Sequence, residues 1–197
     1  MTDAGPEPPR ALPPGQRLAP RLRVQHYGPV PRLRPGSWRL TVNGATDDGK
    51  ERHLDLDEVA ALPRVAVRAD LHCVTRWTVL DNLWEGVAAR TLLDLVPAAP
   101  DVTHVRAWAE YGYSSTLRME DFASPRAVLA THHDGAPLAP EHGFPLRLVV
   151  PHLYGWKGPK WLRGIEYLTG PTRGFWEERG YHTVGDAWRE ERYSYLE

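Results

Sequence analysis

Proline recurs too closely along this chain for long helices to form. Nineteen of its 197 residues are proline, and each fixes its own φ, removes a backbone donor and biases the preceding residue toward extended geometry. The N-terminus concentrates them. Pro6, Pro8, Pro9, Pro13, Pro14 and Pro20 stand among almost no large apolar side chains, so this stretch cannot bury enough surface to offset the entropy of ordering it. We expect a disordered or loosely draped tail over residues 1–21, a single domain over residues 22–197, and a rigid extended loop through "HYGPVPRLRPG".

Between the breakers the apolar spacing defines short elements. "SWRLTVNG" alternates Trp38, Leu40 and Val42 with polar residues and closes on Asn43-Gly44, a half-buried strand with a turn. "LDLDEVAALP" predicts a short helix capped by Asp55, with Glu58 three residues on and Pro63 as its stop. "VAVRADLHCV" predicts a strand that delivers Cys73 near its end, "TLLDLV" a short helix, "THVRAWAEY" a strand, and "MEDFAS" and "RAVLATH" helical turns. "PLRLVVP" and "KWLRGIEYL" read as two further strands. No repeat period argues for a solenoid. Short elements without regular βαβ spacing predict an α+β fold with long functional loops.

Hydrophobic residues make up 42% of the chain, while 24 Lys and Arg stand against 25 Asp and Glu. A core can be filled, but there is no general pull toward nucleic acid or an anionic membrane. Any anion must be held by a local cluster. No apolar run approaches the roughly 18 residues of a membrane span, and the start lacks a secretory h-region and a twin-arginine pair. We expect a cytoplasmic protein with no membrane span.

The only cysteine, Cys73, lies in "ADLHCVTRWTVLDNLWEGV", so no intrachain disulfide can form. As a lone thiol it is either a small buried hydrophobe or a functional thiolate, and His72 and Arg76 could supply the positive charge a thiolate wants. Adjacent strand residues point to opposite faces, however, so His72 need not touch the sulfur. A cysteine hydrolase would need a general base that cannot be named here, and a zinc site would need ligand pairs that His132-His133 alone do not provide. A second constellation, "EHGFPLRLVVPHLYGWKGPKWLR", brings Arg147, Lys157, Lys160 and Arg163 around one apolar strand, with Gly155 and Gly158 permitting close backbone approach. It is either a phosphate clamp or a strand with solvated basic flanks.

The two stretches together, "DLHCVTRW" with "HYGPVP" upstream and "HGFPLRLVVP" and "KGPKWLRGIE" downstream, resemble the molybdopterin-binding catalytic domain of the sulfite oxidase superfamily. The likeness spans about residues 22–190 and is greatest to small bacterial sulfite-oxidase-like oxidoreductases. It implies mixed sheets and short helices around a buried pterin, with molybdenum-molybdopterin as cofactor and Cys73 as the thiolate ligand. In that family one cysteine suffices, because the other sulfurs come from the pterin. The likeness further implies cofactor contacts at His26, Tyr27, His72, His142, Arg147, Lys157, Gly158, Pro159 and Lys160, and catalytic roles for Tyr111 and Arg76 beside Cys73.

The pattern also departs from the family's best-known members. Gln25 stands where sulfite-oxidising members carry an arginine, Lys157 replaces another arginine, and His142 stands where methionine-sulfoxide-reducing members have an asparagine. Sulfate-like oxyanions should bind less well without forked guanidinium groups. The expectation is a molybdopterin-dependent oxidoreductase that transfers an oxygen atom to or from a small substrate and exchanges electrons with a separate partner. The alternative is a cofactor-binding or interaction module without redox turnover. The aromatic C-terminal stretch "GFWEERGYHTVGDAWREERYSYLE" would pack as a flap over the core, or line the cavity mouth and dock the partner.

Overall fold

The protein, described over residues 10–33 and 35–197 by a computed structural model, is built on two mixed β-sheets. In chain order the elements are β1 (Arg17–Leu18), β2 (Leu40–Gly44), β3 (Arg52–Leu54), α1 (Leu56–Ala61), β4 (Arg64–Cys73), β5 (Trp77–Ala88), α2 (Thr91–Leu95), β6 (His104–Ala109), β7 (Ser114–Arg118), α3 (Met119–Phe122), β8 (Val128–His133), β9 (Ala136–Pro137), β10 (Arg147–Val149) and β11 (Leu162–Leu168). One sheet runs β1-β5-β8-β10, with β4 along β5 and β9 along β8. The other runs β3-β2-β11-β6-β7, where β11 is parallel to β2 and antiparallel to β6. Their facing sides share the main core: Val87, Leu129 and Leu148 from the first meet Leu40, Val42 and Ile165 from the second. This is the α+β arrangement expected.

Local chemistry explains most boundaries. Asp55 and Glu58 form the reciprocal capping box at the start of α1, and the helix ends before Pro63. Trp38 is fully buried, and its indole N–H donates to the Leu162 carbonyl at 3.1 Å, fixing the entry to β2 against β11.

Two segments differ from the sequence expectation. "RAVLATH" contains strand β8 rather than helical turns: Val128, Leu129 and Ala130 are all buried between β5 and β10, where sheet pairing overrides local propensity. The 12-residue β5, the longest strand, escaped the periodicity altogether. Its register with β4 shifts between Ala69 and Leu71, and Asp81 adopts φ 57 there, so the alternation of faces is broken mid-strand.

From residue 10 on, the stretch expected to be a disordered or loosely draped tail lies against the first sheet. The first nine residues lie outside the described ones, but Arg17–Leu18 pairs in parallel with Trp77 and Thr78. Buried Gln16 donates its amide N–H to the carbonyls of Cys73 (3.0 Å) and Trp77 (3.1 Å). The prolines keep this strand to two residues; side-chain hydrogen bonds supply what apolar burial cannot.

Candidate active site

β4 carries Cys73 to the wall of a cavity of about 250 Å³. The other walls are the loop at residues 22–27, the turn from Val74 to Trp77, the stretch from His142 through Arg147 to Trp161, and Trp176 and Tyr181 of the C-terminal segment. The half-buried thiol lies 3.1 Å from the Thr75 hydroxyl and 3.3 Å from Gln25 Oε1. His72, one residue back, faces away as strand alternation requires: it is buried, its Nδ1 is 3.0 Å from the Thr78 hydroxyl, and burial holds its pKa below the usual value.

Opposite charges do not meet on the cationic wall. Arg147 is only 4% exposed, yet its one hydrogen bond runs from Nη1 to the His142 carbonyl at 3.1 Å, and its buried Nε has no partner. The guanidinium lies over the Trp84 ring, 5.0 Å from the centroid, and burial pulls it down to about 10. Lys160 donates to the carbonyls of Gln25 (2.9 Å) and Glu141 (2.8 Å). Burial, and after it Arg147, pulls Lys160 down to about 7. His142 is lowered by burial first, then by Lys160 and Arg147. Among the described residues neither Arg147 nor Lys160 has an ion pair with a carboxylate. Such a site is electrically incomplete and suits an anion.

Glycine permits the wall to close. Gly143 sits at φ 115 with an imagined Cβ 3.0 Å from Arg147 Cβ, and a Cβ on Gly158 would lie 2.2 Å from the Leu148 carbonyl oxygen.

His26 and Tyr27 line the cavity as expected. The His26 ring meets Trp161 edge-on at 5.1 Å, and Tyr27 packs on Phe175 at 4.3 Å. Several other expected residues fall outside. Lys157 is fully buried but turned away, donating to Glu177 Oε1 at 2.8 Å, to the Thr183 carbonyl at 2.6 Å and to the Thr116 carbonyl. Pro159 contributes its carbonyl to the Leu148 N–H at 3.0 Å rather than a cavity face. Arg76 is exposed in the turn after Cys73, 3.6 Å from Glu190. Tyr111 is 45% exposed and meets the edge of Trp161 from outside. Tyr113 lines the cavity in its place, with its hydroxyl donating to the Trp156 carbonyl at 2.5 Å and burial raising its pKa. Thr75, Trp77, Tyr113, Trp156 and Trp161 line the cavity without having been singled out in the sequence, Gln25 stood there only as a departure, and Trp176 and Tyr181 belong to the C-terminal stretch for which lining the cavity mouth was one reading. The signal available was the eight tryptophans of the chain, three of which, Trp77, Trp156 and Trp161, lie in or beside the quoted motifs and line the cavity.

Comparison with known proteins gives the family and the fold. The chain belongs to the family of oxidoreductase molybdopterin binding domains, whose family model matches residues 27–176. More particularly, it is an oxidoreductase of the sulfite oxidase superfamily, and the cofactor that goes with that membership is molybdenum-molybdopterin. It is 41% identical to the uncharacterized oxidoreductase YuiH of Bacillus subtilis, over 93% of this chain and 92% of that one. A putative protein-methionine-sulfoxide reductase subunit, YedZ1 of Azospira oryzae, is 32% identical over 77% of this chain and 56% of its own length. Human mitochondrial sulfite oxidase is 26% identical over 82% of this chain, which spans only 35% of that protein. The crystal structure of the sulfane dehydrogenase SoxCD from Paracoccus pantotrophus shares the fold with a TM-score of 0.68 at 22% identity, covering 74% of this chain and 42% of that one.

The cavity residues fit such a cofactor. Arg147 has a buried N–H without an acceptor, Lys160 is a half-buried cation without a carboxylate among the described residues, and the glycines let the cationic wall pack closely on its own backbone. The thiol offers a soft donor at the same cavity.

Proposed function

We propose that Cys73 is the chain's ligand to molybdenum and that the site carries out two-electron oxygen-atom transfer on a small sulfur- or nitrogen-containing substrate. The observation that supports it is that the lone thiol and a cationic wall with an unpartnered donor share one cavity. When bound, the cofactor supplies the redox chemistry, exchanging two electrons as an oxygen atom moves to or from the substrate.

The chain's own residues bind and orient. Arg147 and Lys160 would hold the phosphate, Gly158 lets the wall that carries them pack close against Leu148, and His26, Tyr27 and His142 would flank the pterin. Loading restores charge to Lys160, because an anion favours its protonated form. Thr75 and Gln25 sit in the contact shell of the sulfur, where a hydroxyl and an amide fix the side chain's rotamer without adding charge. An amide in place of a guanidinium fork also makes this face less suited to sulfate-like oxyanions. The proposal includes a separate electron-transfer partner and a cytoplasmic location, where one unpaired thiol stays reduced.

Metal analysis of protein made in a host competent for the cofactor tests this reading. The parent should hold about one molybdenum per chain and show a visible band that bleaches with dithionite, and Cys73→Ser should fold but lose both. Metal-free parent protein from such a host would overturn it.

A further inference from the structure

We infer that the arginine strip at the cavity mouth, Arg17 to Tyr27, is the docking surface for an acidic redox protein; this rests on the redox reading above. Charge is unevenly placed along the chain. Residues 10–46 contain seven of the 24 Lys and Arg and no Asp or Glu, leaving 17 cations to share the rest with all 25 acids. The near-neutral total conceals a segment of one sign.

The fold puts part of that segment beside the thiol. Arg17 pairs with Trp77 on one edge of β5, and Cys73 pairs with Trp77 on the other, so the Arg17 and Cys73 backbones are about 10 Å apart, two strand spacings. Leu22, Arg23, Gln25, His26 and Tyr27 then form the cavity rim itself. Arg17, Arg21 and Arg23 are exposed, and among the described residues none of the three forms an ion pair, although Arg10, Arg52, Arg106 and Arg118 all do. Between them Leu18 (62%), Val24 (55%) and Tyr27 (45%) stand exposed. Arg23 lies over the Trp77 ring at 5.6 Å, and arginine without a carboxylate partner, interleaved with apolar and aromatic side chains, has the composition of a protein interface. Its sign selects an acidic partner and repels a basic one. A two-residue strand followed by a loop lacks the continuous apolar helix face that would seat in a lipid surface, and its position over the redox cavity gives an electron carrier reason to bind there.

The test uses the loaded, full-length protein with flavodoxin, a small acidic carrier, as probe. Two flavodoxin hydroquinones each give up one electron and become semiquinones, and the cofactor takes up both. Stopped-flow rates should fall about tenfold or more between low and high salt for the parent, and by a similar factor at low salt in the R17E/R21E variant, with R17Q/R21Q between. Both positions lie outside the cavity lining, so molybdenum content and bleaching by dithionite should be unchanged. Calorimetric titration of flavodoxin into parent and R17E/R21E repeats the comparison without needing the metal, so a failure of the cofactor reading remains separable. Equal binding and equal, salt-insensitive rates in parent and variant would overturn the inference. So would loss of binding to phosphatidylglycerol vesicles in R17E/R21E with no change toward flavodoxin, which would make the strip a membrane contact.

Discussion

Lys157 and Lys160 are three residues apart in "WKGPKW", the first fully buried and the second half-buried, and they belong to different parts of the molecule. Lys157 meets a carboxylate and two carbonyls, so its three N–H groups are matched and the C-terminal segment bearing Glu177 is fastened to β7. Lys160 and its neighbour Arg147 meet only carbonyls, and a guanidinium N–H is left without any acceptor. What separates a structural brace from a ligand wall is the satisfaction of each donor rather than burial or charge. Cations left incomplete at the wall of a cavity are placed for an anion from outside to complete them.

The largest expected effect breaks the brace. Lys157→Ala leaves the Glu177 carboxylate buried at 1% exposure with the Thr116 N–H but no cation against it, which should cost about 3–5 kcal/mol and lower the melting temperature of the cofactor-free protein by roughly 10 °C. The double change Lys157→Met with Glu177→Leu should recover most of the loss. Urea titration of the three proteins checks both claims, and a single variant as stable as its parent would erase the contrast.

On the wall the sign should reverse. Arg147→Met removes a buried cation with one hydrogen bond, so cofactor-free stability should change by less than about 1 kcal/mol or improve. Retention of the cofactor should fall tenfold or more, equivalent to about 1.4 kcal/mol, measured as pterin and molybdenum remaining after gel filtration. Lys160 sharpens the same point through pH. Partial burial, and after it Arg147, pulls it from the ordinary 10.5 down to about 7 in the folded cofactor-free chain, so between those values the unfolded chain binds more protons. Stability of the cofactor-free protein should therefore be lowest below pH 7, where the cost is fully present, and rise toward pH 10, on the order of 2 kcal/mol. Lys160→Met should remove that slope, and cofactor loading should flatten it in the parent.

How much of this was legible follows the same division. Capping, turn chemistry and alternation are local, so α1, β2 and the end of β4 could be read from their own residues. The center of the sheet could not: β5 loses its alternation at the Asp81 irregularity, and β8 is apolar on both faces because of what covers it. At the site, the positions tied to backbone motifs, Cys73, His142, Arg147, Gly158 and Lys160, do gather at one cavity. Lys157 does not, because its partner Glu177 is 20 residues on in a segment whose folding back leaves no local mark. Trp176 and Tyr181 come from that same segment, for which packing over the core and lining the cavity mouth were both open readings, and they line the cavity.

The smallest effect tests whether proximity in sequence to Cys73 confers a role. Arg76 follows the thiol by three residues, but the turn places its side chain in solvent at 59% exposure with a 3.6 Å contact to Glu190. Exposed pairs of this kind contribute about 0–1 kcal/mol, and the left-handed φ of 71 at this position makes Arg76→Gly the cleaner variant, since it removes the side chain and keeps the turn. Thermal stability should move by less than about 0.5 kcal/mol, with molybdenum content and the visible band unchanged. A loss of metal comparable to that of Cys73→Ser would mean that the turn swings inward on loading and that Arg76 belongs to the incomplete wall after all, moving the boundary between brace and ligand site onto the N-terminal side of β5.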